Sequence, residues 1–206
     1  KKMQKIAVID YGMGNLHSVK KAIEFSSDNV KVLVTSEISE INSADKVILP
    51  GVGAIRDCLK SIKEKLLLDV VLENMKKKPT LAICVGMQML FEASEENGGV
   101  EGFGLIKGTV VKLKAGKNEK VPHMGWNKVN QIKEHFLWKS IPNDSFFYFV
   151  HSYACAEAKD RVGVTNHGKD FISAISKENI FAVQFHPEKS QKQGLQMYKN
   201  FCEWRL

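Results

Sequence analysis

The sequence predicts an α/β fold with a central, mostly parallel mixed β-sheet flanked by helices in three layers, and with additional β-structure in the second half. In the first half, short β-rich apolar runs alternate with helical patterns, which is typical of βαβ units and a parallel sheet. In the second half, strand-like runs follow one another and a helix closes the chain. The 206 residues, 44% of them hydrophobic, are enough to bury a sizeable core without disulfides or metals.

The first half contains four predicted strands and three predicted helices. The strands are residues 6–10, 30–34, 46–49 and 80–83. The helices are residues 15–25, the stretch from the glycine loop at 50–53 to about residue 77, and residues 86–93. Each predicted strand is short and predominantly apolar, as expected for a strand that is covered on both faces.

The second half contains five predicted strands and one predicted helix. The strands are residues 105–113, 121–129, 146–153, 171–176 and 180–185. The helix covers residues 191–204 and places Leu195, Tyr198 and Cys202 on one face. Because no repeat, low-complexity tract or linker interrupts the chain, residues 1–206 are predicted to form a single domain.

The net charge of +7 bears on possible partners. Lysines cluster at residues 76–78 and are scattered over residues 107–120. A solvated basic surface explains them better than nucleic-acid binding, because no basic stretch is interleaved with aromatic residues. No apolar run approaches the roughly 20 residues of a membrane span, and residues 1–10 lack the features of a signal peptide. We therefore expect a cytoplasmic protein without nucleic-acid or membrane partners.

The four cysteines, Cys58, Cys84, Cys155 and Cys202, form no C-x-x-C pair. None lies near a histidine at the spacing of a metal site, so we expect no metal and no cofactor. A disulfide framework is not expected in a domain of this size. The context of each cysteine must therefore show which one is reactive.

Cys84 lies between the apolar strand at residues 80–83 and a predicted helix. This arrangement is a strand–turn–helix elbow of the G-x-nucleophile-x-G type, whose tight turn requires small residues two positions before and after the nucleophile. Ala82 and Gly86 meet that requirement. The N-terminus of the helix also favours a thiolate. Since a buried structural cysteine could occupy the same position, the elbow alone does not establish a nucleophile.

His186 and Glu188 follow the last predicted strand. Residues i and i+2 of a strand face the same side, so the two side chains are expected to touch. A carboxylate beside an imidazole fixes its tautomer and raises its basicity, as a general base requires. Together with the elbow, the pair predicts a Cys84–His186–Glu188 triad.

The loop Pro50-Gly51-Val52-Gly53 follows the third strand. Such a loop can direct backbone N–H groups at a developing oxyanion, although it is also compatible with an ordinary tight turn.

Six strings of residues appear in order along the chain and resemble one enzyme family. They are Asp10-Tyr-Gly-Met-Gly-Asn15, Pro50-Gly-Val-Gly53, Cys84-Val-Gly-Met-Gln88, Pro122-His-Met-Gly-Trp-Asn127, Tyr148-Phe-Val-His-Ser-Tyr153 and Phe185-His-Pro-Glu-Lys-Ser190. Together they resemble the glutaminase subunits of imidazole glycerol phosphate synthases, within the class I glutamine amidotransferases. The elbow and His-Pro-Glu strings are common to the whole class, whereas those at 122–127 and 148–153 are much more specific.

The resemblance implies a flavodoxin-like fold and a set of roles. Cys84 would attack the side-chain amide of L-glutamine, with His186 as acid and base and Glu188 orienting it. The oxyanion hole would comprise the N–H of Val85 and a peptide of the Gly51–Val52 loop. The residues holding glutamine would be Gln88, Gly53, Ser152 and Tyr153. The partner interface would include Asn15, Met124, Trp126 and Lys189.

The resemblance also implies a partner: a barrel-shaped cyclase (synthase) subunit in a heterodimer. That subunit would use the ammonia to form imidazole glycerol phosphate and an aminoimidazole carboxamide ribotide in histidine biosynthesis. Because the Gly51–Val52 peptide can rotate at small steric cost, we expect the free subunit to be a poor glutaminase that its partner activates. Family members usually carry glycine in place of Ala82, which predicts slight strain at the elbow.

Several alternatives stand beside this interpretation. A paralogous subunit supplying ammonia for surface-sugar amidine synthesis would keep the same chemistry. The glutaminase of pyridoxal phosphate synthesis is rejected, because it has a Gly-Gly-Glu-Ser type of loop in place of Pro50–Gly53. Cysteine peptidases and chaperone-like members of the superfold generally lack the His-Pro-Glu string. A basic nucleic-acid-binding protein would leave the triad unexplained.

Overall fold

The computed structural model describes residues 2–206, and this part of the chain contains thirteen β-strands and six α-helices. The strands are β1 (Gln4–Ile9), β2 (Val30–Thr35), β3 (Lys46–Leu49), β4 (Thr80–Ile83), β5 (Phe91–Ser94), β6 (Val100–Glu101), β7 (Ile106–Lys112), β8 (His123–Gln131), β9 (Ser145–His151), β10 (Tyr153–Cys155), β11 (Arg161–His167), β12 (Lys169–Lys177) and β13 (Ile180–Val183). The helices are α1 (Leu16–Ser26), α2 (Ile38–Ser43), α3 (Ile55–Glu64), α4 (Leu68–Lys77), α5 (Val85–Gln88) and α6 (Gln191–Glu203).

Nine strands form one mixed sheet in the order β2-β1-β3-β4-β13-β12-β11-β8-β9. The pairings from β2 to β13 are parallel, and those from β13 to β9 are antiparallel. A second sheet has the order β10-β7-β5-β6. The predicted α/β class is therefore confirmed, with the additional β-structure in the second half.

The strands of the parallel half agree closely with the sequence patterns. β3 and β4 have the predicted bounds, and all four residues of each are buried. Strands at the centre of a sheet are covered on both faces, so residues 47–49 and 81–83 are continuously apolar rather than alternating. Helix α1 packs against α6, and α2 packs against α4.

Two helical predictions of the first half are wrong in part. The predicted stretch to residue 77 is two helices, α3 and α4, because Leu66 adopts a φ of 58° that an α-helix cannot contain. The predicted helix at 86–93 ends at Gln88, and residues 91–94 instead form β5, which pairs with β7. Pairing with a distant strand overrides the local helical pattern there. Helix α2 was not predicted.

The second half also differs in detail from the prediction. The predicted strand at 146–153 is two strands, because β9 ends at His151 and β10 joins the second sheet. The strand β11 was missed, although it pairs with both β12 and β8. The last strand ends at Val183 rather than residue 185. Helix α6 is confirmed, with Tyr198 and Cys202 buried.

One apolar core extends through the described residues and includes strands of both sheets. Among residues 2–206, no helix combines the length and apolarity that crossing a lipid bilayer would require.

Candidate active site

Three neighbouring parallel strands place the candidate catalytic groups together. β3, β4 and β13 lie side by side, and the carboxyl ends of parallel strands meet at one edge of a sheet. The glycine loop follows β3, Cys84 follows β4, and His186 comes three residues after β13 ends. The sheet order therefore explains how residues about a hundred positions apart can meet.

Cys84 has the backbone geometry of a nucleophile elbow. Its φ of 56° and ψ of −113° are rarely adopted by a residue with a side chain, and such strain is typical of functional sites. A Cβ added to Gly86 would lie 2.1 Å from the carbonyl oxygen of Leu49, so only glycine fits the turn. Ala82 is buried and pairs with the equally small Ala182 on β13, which accommodates the alanine in the strand.

His186 and Glu188 form the predicted contact, but by a different local structure. His186 has an extended backbone, and Pro187–Lys189 form a 3₁₀ turn rather than a continuation of the strand. Within this turn the His186 Nδ1 atom lies 2.7 Å from Glu188 Oε2. The carboxylate is held by two further donors, Asn15 Nδ2 at 3.1 Å and the Tyr198 hydroxyl at 3.2 Å.

The charges around His186 favour its protonated form. Burial lowers the pKa of His186, but the charges of Cys84 and Glu188 outweigh burial and raise the pKa to about 10. Burial also raises the pKa of Glu188, but the hydrogen bond and charge of His186 hold it below its usual value. His186 Nε2 is buried and has no hydrogen-bond partner within residues 2–206. His186 lines the same cavity as Cys84. The hydrogen bond between a catalytic nucleophile and its base is often long until substrate binds.

A cavity of about 410 Å³ opens over these groups. The predicted residues that line it are Asn15, Val52, Gly53, Cys84, Val85, Gln88, Ser152, Tyr153, His186 and Lys189. Glu96, Pro122, Val150 and His151 also line it without a role predicted from the sequence, although the last three belong to the quoted strings. Glu96 belongs to no motif, so its position became apparent only when β5 and its following turn packed beside the glycine loop.

Neither of the predicted oxyanion donors is available in this conformation. The N–H of Val85 donates to the carbonyl oxygen of Gly51 at 3.3 Å. The carbonyl of the Gly51–Val52 peptide is therefore directed at the position where an oxyanion donor is needed. Since the N–H and C=O of one peptide point in opposite directions, the Val52 N–H is directed away.

The glycine loop is also held at both sides of that peptide. The Tyr11 hydroxyl donates to the Pro50 carbonyl oxygen at 2.5 Å, and the Cys58 thiol donates to that of Val52 at 3.3 Å. A Cβ on Gly51 would lie 2.7 Å from the Gly86 nitrogen, so the loop and the elbow require two glycines where they touch.

The predicted interface residues fall into two groups. Met124 and Trp126 are exposed on β8 and do not line the cavity. Asn15 and Lys189 lie at the cavity, and Asn15 contacts Glu188 directly. Lys189 places its Nζ 5.7 Å from the centre of the Tyr148 ring, which lies on the β-strand beside Trp126.

No group of His, Cys, Asp and Glu side chains in the described part of the chain has an arrangement suited to a metal ion.

The comparisons with known proteins agree with this geometry. The family model described as glutamine amidotransferase class-I matches residues 7–204. The chain is 51% identical to imidazole glycerol phosphate synthase subunit HisH 1 of Pseudomonas aeruginosa, covering 98% of each. It is 47% identical to subunit HisH of Methylococcus capsulatus, covering 98% of this chain and 97% of the relative.

Solved structures share the fold at low sequence identity. A glutamine amidotransferase superposes with a TM-score of 0.71 at 13% identity, covering 96% of this chain and 97% of the other. PurLQS from Thermotoga maritima gives a TM-score of 0.70 at 16% identity, covering 98% of both chains.

Proposed function

This chain belongs to the class-I glutamine amidotransferase family, and we propose that it is the glutaminase subunit of an imidazole glycerol phosphate synthase. It hydrolyses L-glutamine to glutamate and ammonia. The observation that carries the proposal is the meeting of the strained Cys84 elbow with the His186–Glu188 pair at the carboxyl ends of β4 and β13. Relatives about 50% identical over nearly the whole chain are named as that subunit.

The side chains support a two-step acyl transfer. The Cys84 sulfur attacks the side-chain carbonyl carbon of glutamine, and protonated His186 gives its proton to the leaving nitrogen, which departs as ammonia. A glutamyl thioester remains. Neutral His186 then takes a proton from water, whose oxygen attacks the thioester and releases glutamate and the thiolate. Glu188 orients the imidazole and stabilises its positive charge.

The cavity supplies groups suited to the rest of the glutamine molecule. The Gln88 side chain and the backbone of Gly53, Ser152 and Tyr153 would hold the substrate. Glu96 offers a carboxylate for the α-ammonium group at the cavity wall. Burial raises the pKa of Glu96, and the Ile55 N–H contact opposes that effect.

The Gly51–Val52 peptide supports regulation of the reaction. Rotating it would withdraw the Gly51 carbonyl from the Val85 N–H and bring the Val52 N–H into the oxyanion hole. One missing oxyanion donor costs roughly a hundred- to a thousandfold in rate. In this resting arrangement the subunit is therefore a poor glutaminase, and it becomes active when the Gly51–Val52 peptide rotates.

A docking surface for the cyclase subunit lies beside the cavity. We define it by Met124 and Trp126 on β8 and Phe146 and Tyr148 on β9. Met124 is 63% exposed, Phe146 51% and Trp126 45%. Exposed aromatic and methionine side chains that are contiguous in this way mark protein-binding sites. A barrel seated there would receive ammonia before it is protonated in bulk water.

The test is to measure glutamate release by the subunit alone and with the cyclase subunit and its ribulosyl phosphate ligand. The proposal expects low basal release and strong stimulation. Cys84→Ala should abolish glutamine use while added ammonium still supports the cyclase. Stimulation by a sugar-modifying synthase instead would assign the chain to that pathway, and the absence of release with either partner would refute the proposal.

A further inference from the structure

Gln184 contacts the candidate nucleophile directly, yet the proposed mechanism gives it no role. It lies between β13 and His186 and is 1% exposed. Its Nε2 atom lies 3.6 Å from Cys84 Sγ, within hydrogen-bond distance for sulfur. Its Oε1 atom accepts a hydrogen bond from Gln88 Nε2 at 3.1 Å.

The orientation of this amide is set by the hydrogen bonds around it. Gln88 Nε2 also donates to the Tyr153 carbonyl oxygen at 3.0 Å, and a carbonyl oxygen can only accept. The nitrogen of Gln88 must therefore face both Tyr153 and Gln184. Only the oxygen of Gln184 can accept from it, so the Gln184 nitrogen must face the Cys84 sulfur.

The same carbonyl ends a second chain of hydrogen bonds. His151 Nδ1 lies 3.0 Å from the Tyr153 oxygen and must donate to it. Asn127 Oδ1 accepts from the Lys128 N–H, so Asn127 Nδ2 faces His123 Nε2, and the proton of the His123 ring lies on Nδ1, which donates to His151 Nε2 at 2.9 Å. His123 Nε2 in turn accepts from Asn127 Nδ2 at 3.2 Å.

Both imidazoles in this chain must be neutral, because each ring both donates and accepts. Burial and neighbouring histidines lower the pKa of His123 to about 4 and that of His151 to about 3, where burial is the larger cause. The chain begins at Asn127 on β8, the strand that presents Met124 and Trp126 on its other face. A continuous path of hydrogen bonds thus joins the inner side of the docking strand to the nucleophile.

We propose that Gln184 is a catalytic residue whose amide N–H donates to the Cys84 thiolate, and that His123 is a positioning residue in the chain that fixes this amide. The proposal rests on the proposed function. A hydrogen bond to the charged form of a group favours that form, so the Gln184 amide increases the fraction of Cys84 present as thiolate. The hydrogen bond also aims the sulfur within the cavity.

The experiment measures the pH profile of Cys84 alkylation by iodoacetamide, together with kcat/KM for glutamine in the full complex. Gln184→Met keeps the length of the side chain and removes the N–H donor. Its alkylation midpoint should move upward by about one pH unit, and kcat/KM at pH 7 should fall about tenfold. Gln184→Glu should move the midpoint further, because a carboxylate repels the thiolate.

The matched control is Gln4→Met, which removes a side-chain hydrogen bond to the Cys202 carbonyl oxygen. Gln4 is the first residue of β1 and lies at the edge of the sheet opposite to the candidate active site. The control change should leave both measurements unchanged. Co-elution of each variant with the cyclase subunit in size-exclusion chromatography shows that the fold and the interface are intact. If Gln184→Met does not fold, Gln184→Glu carries the test alone.

His123→Phe keeps the ring that stacks on Phe149 and removes the donor to His151. It should shift the alkylation midpoint in the same direction by a smaller amount. Unchanged alkylation midpoints in the Gln184 variants would overturn the role of Gln184. An unchanged alkylation midpoint in His123→Phe would overturn the positioning role of His123. Alkylation needs no glutamine, so a wild-type protein that releases no glutamate would refute the proposed function without affecting this result.

Discussion

At the residue scale, Cys84 differs from the other three cysteines in what surrounds it. Burial raises the pKa values of Cys58, Cys155 and Cys202 each to about 11, so these thiols remain protonated and unreactive near neutral pH. Cys84 instead lies at the cavity beside His186 and Gln184. The sequence predicted Cys84 as the reactive cysteine, and the surroundings of all four cysteines support that prediction.

We therefore predict that a glutamine-like diazo ketone labels Cys84 alone at pH 7.5. Peptide mass analysis after labelling checks the site, and Cys84→Ala should remove all incorporation. Cys155→Ala is the control and should label as the wild type does. Labelling of Cys58 or Cys155 at a similar rate would contradict the assignment.

The His186–Glu188 pair leads to a second prediction at this scale. His186→Ala should reduce kcat/KM for glutamine nearly as much as Cys84→Ala, because nucleophile and base act as a unit. Glu188→Gln should be less damaging by about two orders of magnitude, since the base remains while its orientation and charge stabilisation are lost. Steady-state glutamate release in the complex provides the measurement. Equal losses for the two variants would show that Glu188 does more than orient the imidazole.

At the scale of elements, strand β8 alternates its side chains between two proposed functions. Met124 and Trp126 point outward, whereas His123 and Asn127 point inward to the hydrogen-bonded chain. Successive residues of a strand face opposite sides, so one strand can serve the docking surface and the active site together.

The inward histidines predict a dependence of stability on pH. The pKa values of His123 and His151 in the folded protein are about 4 and about 3, below the usual value near 6.5 in the unfolded chain. Between these values the unfolded chain binds more protons, so stability is lost as pH falls from about 6.5 towards 4. Each histidine should steepen the decline by up to about 1.4 kcal/mol per pH unit.

Urea unfolding at several pH values measures this slope. His123→Phe should reduce the slope of the unfolding free energy against pH by the contribution of one histidine. His17→Gln changes an exposed histidine and should leave the slope as in the wild type. A slope unchanged by His123→Phe would show that the imidazole of His123 is not kept neutral by the fold.

At the scale of the whole molecule, the candidate active site and the proposed docking surface meet at Lys189. Its ammonium lies over the Tyr148 ring of the docking surface, while the neighbouring Glu188 orients His186. Backbone bonds reinforce the connection, since His186 N–H donates to the Tyr148 carbonyl oxygen at 2.9 Å. A partner that contacts Tyr148 and Lys189 therefore touches the element that carries the base.

We predict that Trp126→Ala weakens binding of the cyclase subunit by at least tenfold, as expected for a central aromatic contact. Titration calorimetry measures the affinity, and glutamate release at saturating partner shows whether activation survives. Phe25→Ala is the control, because Phe25 is 81% exposed and lies on α1 away from the docking surface. Equal effects of the two changes would place the interface elsewhere.

The sequence by itself determined the parts of this protein that depend on local patterns. Continuous apolar runs located β3 and β4, and small residues around Cys84 predicted an elbow that the geometry of Gly86 now explains. The spacing of His186 and Glu188 predicted their contact, although a 3₁₀ turn makes it instead of a strand. The apolar runs and the spacing of His186 and Glu188 involve only neighbouring residues, whereas the reason that only glycine fits at position 86 is the Leu49 carbonyl of the adjacent strand.

Only the tertiary structure decided which distant groups meet. The helix predicted at 86–93 ends early because residues 91–94 pair with β7, and the Val85 N–H is taken by Gly51, a residue 34 positions away. The positions of Glu96 and Gln184 carried no signal in the sequence. Their proposed roles depend on hydrogen bonds and packing between segments up to about a hundred residues apart, and buried polar groups find such partners only when the whole sheet has assembled.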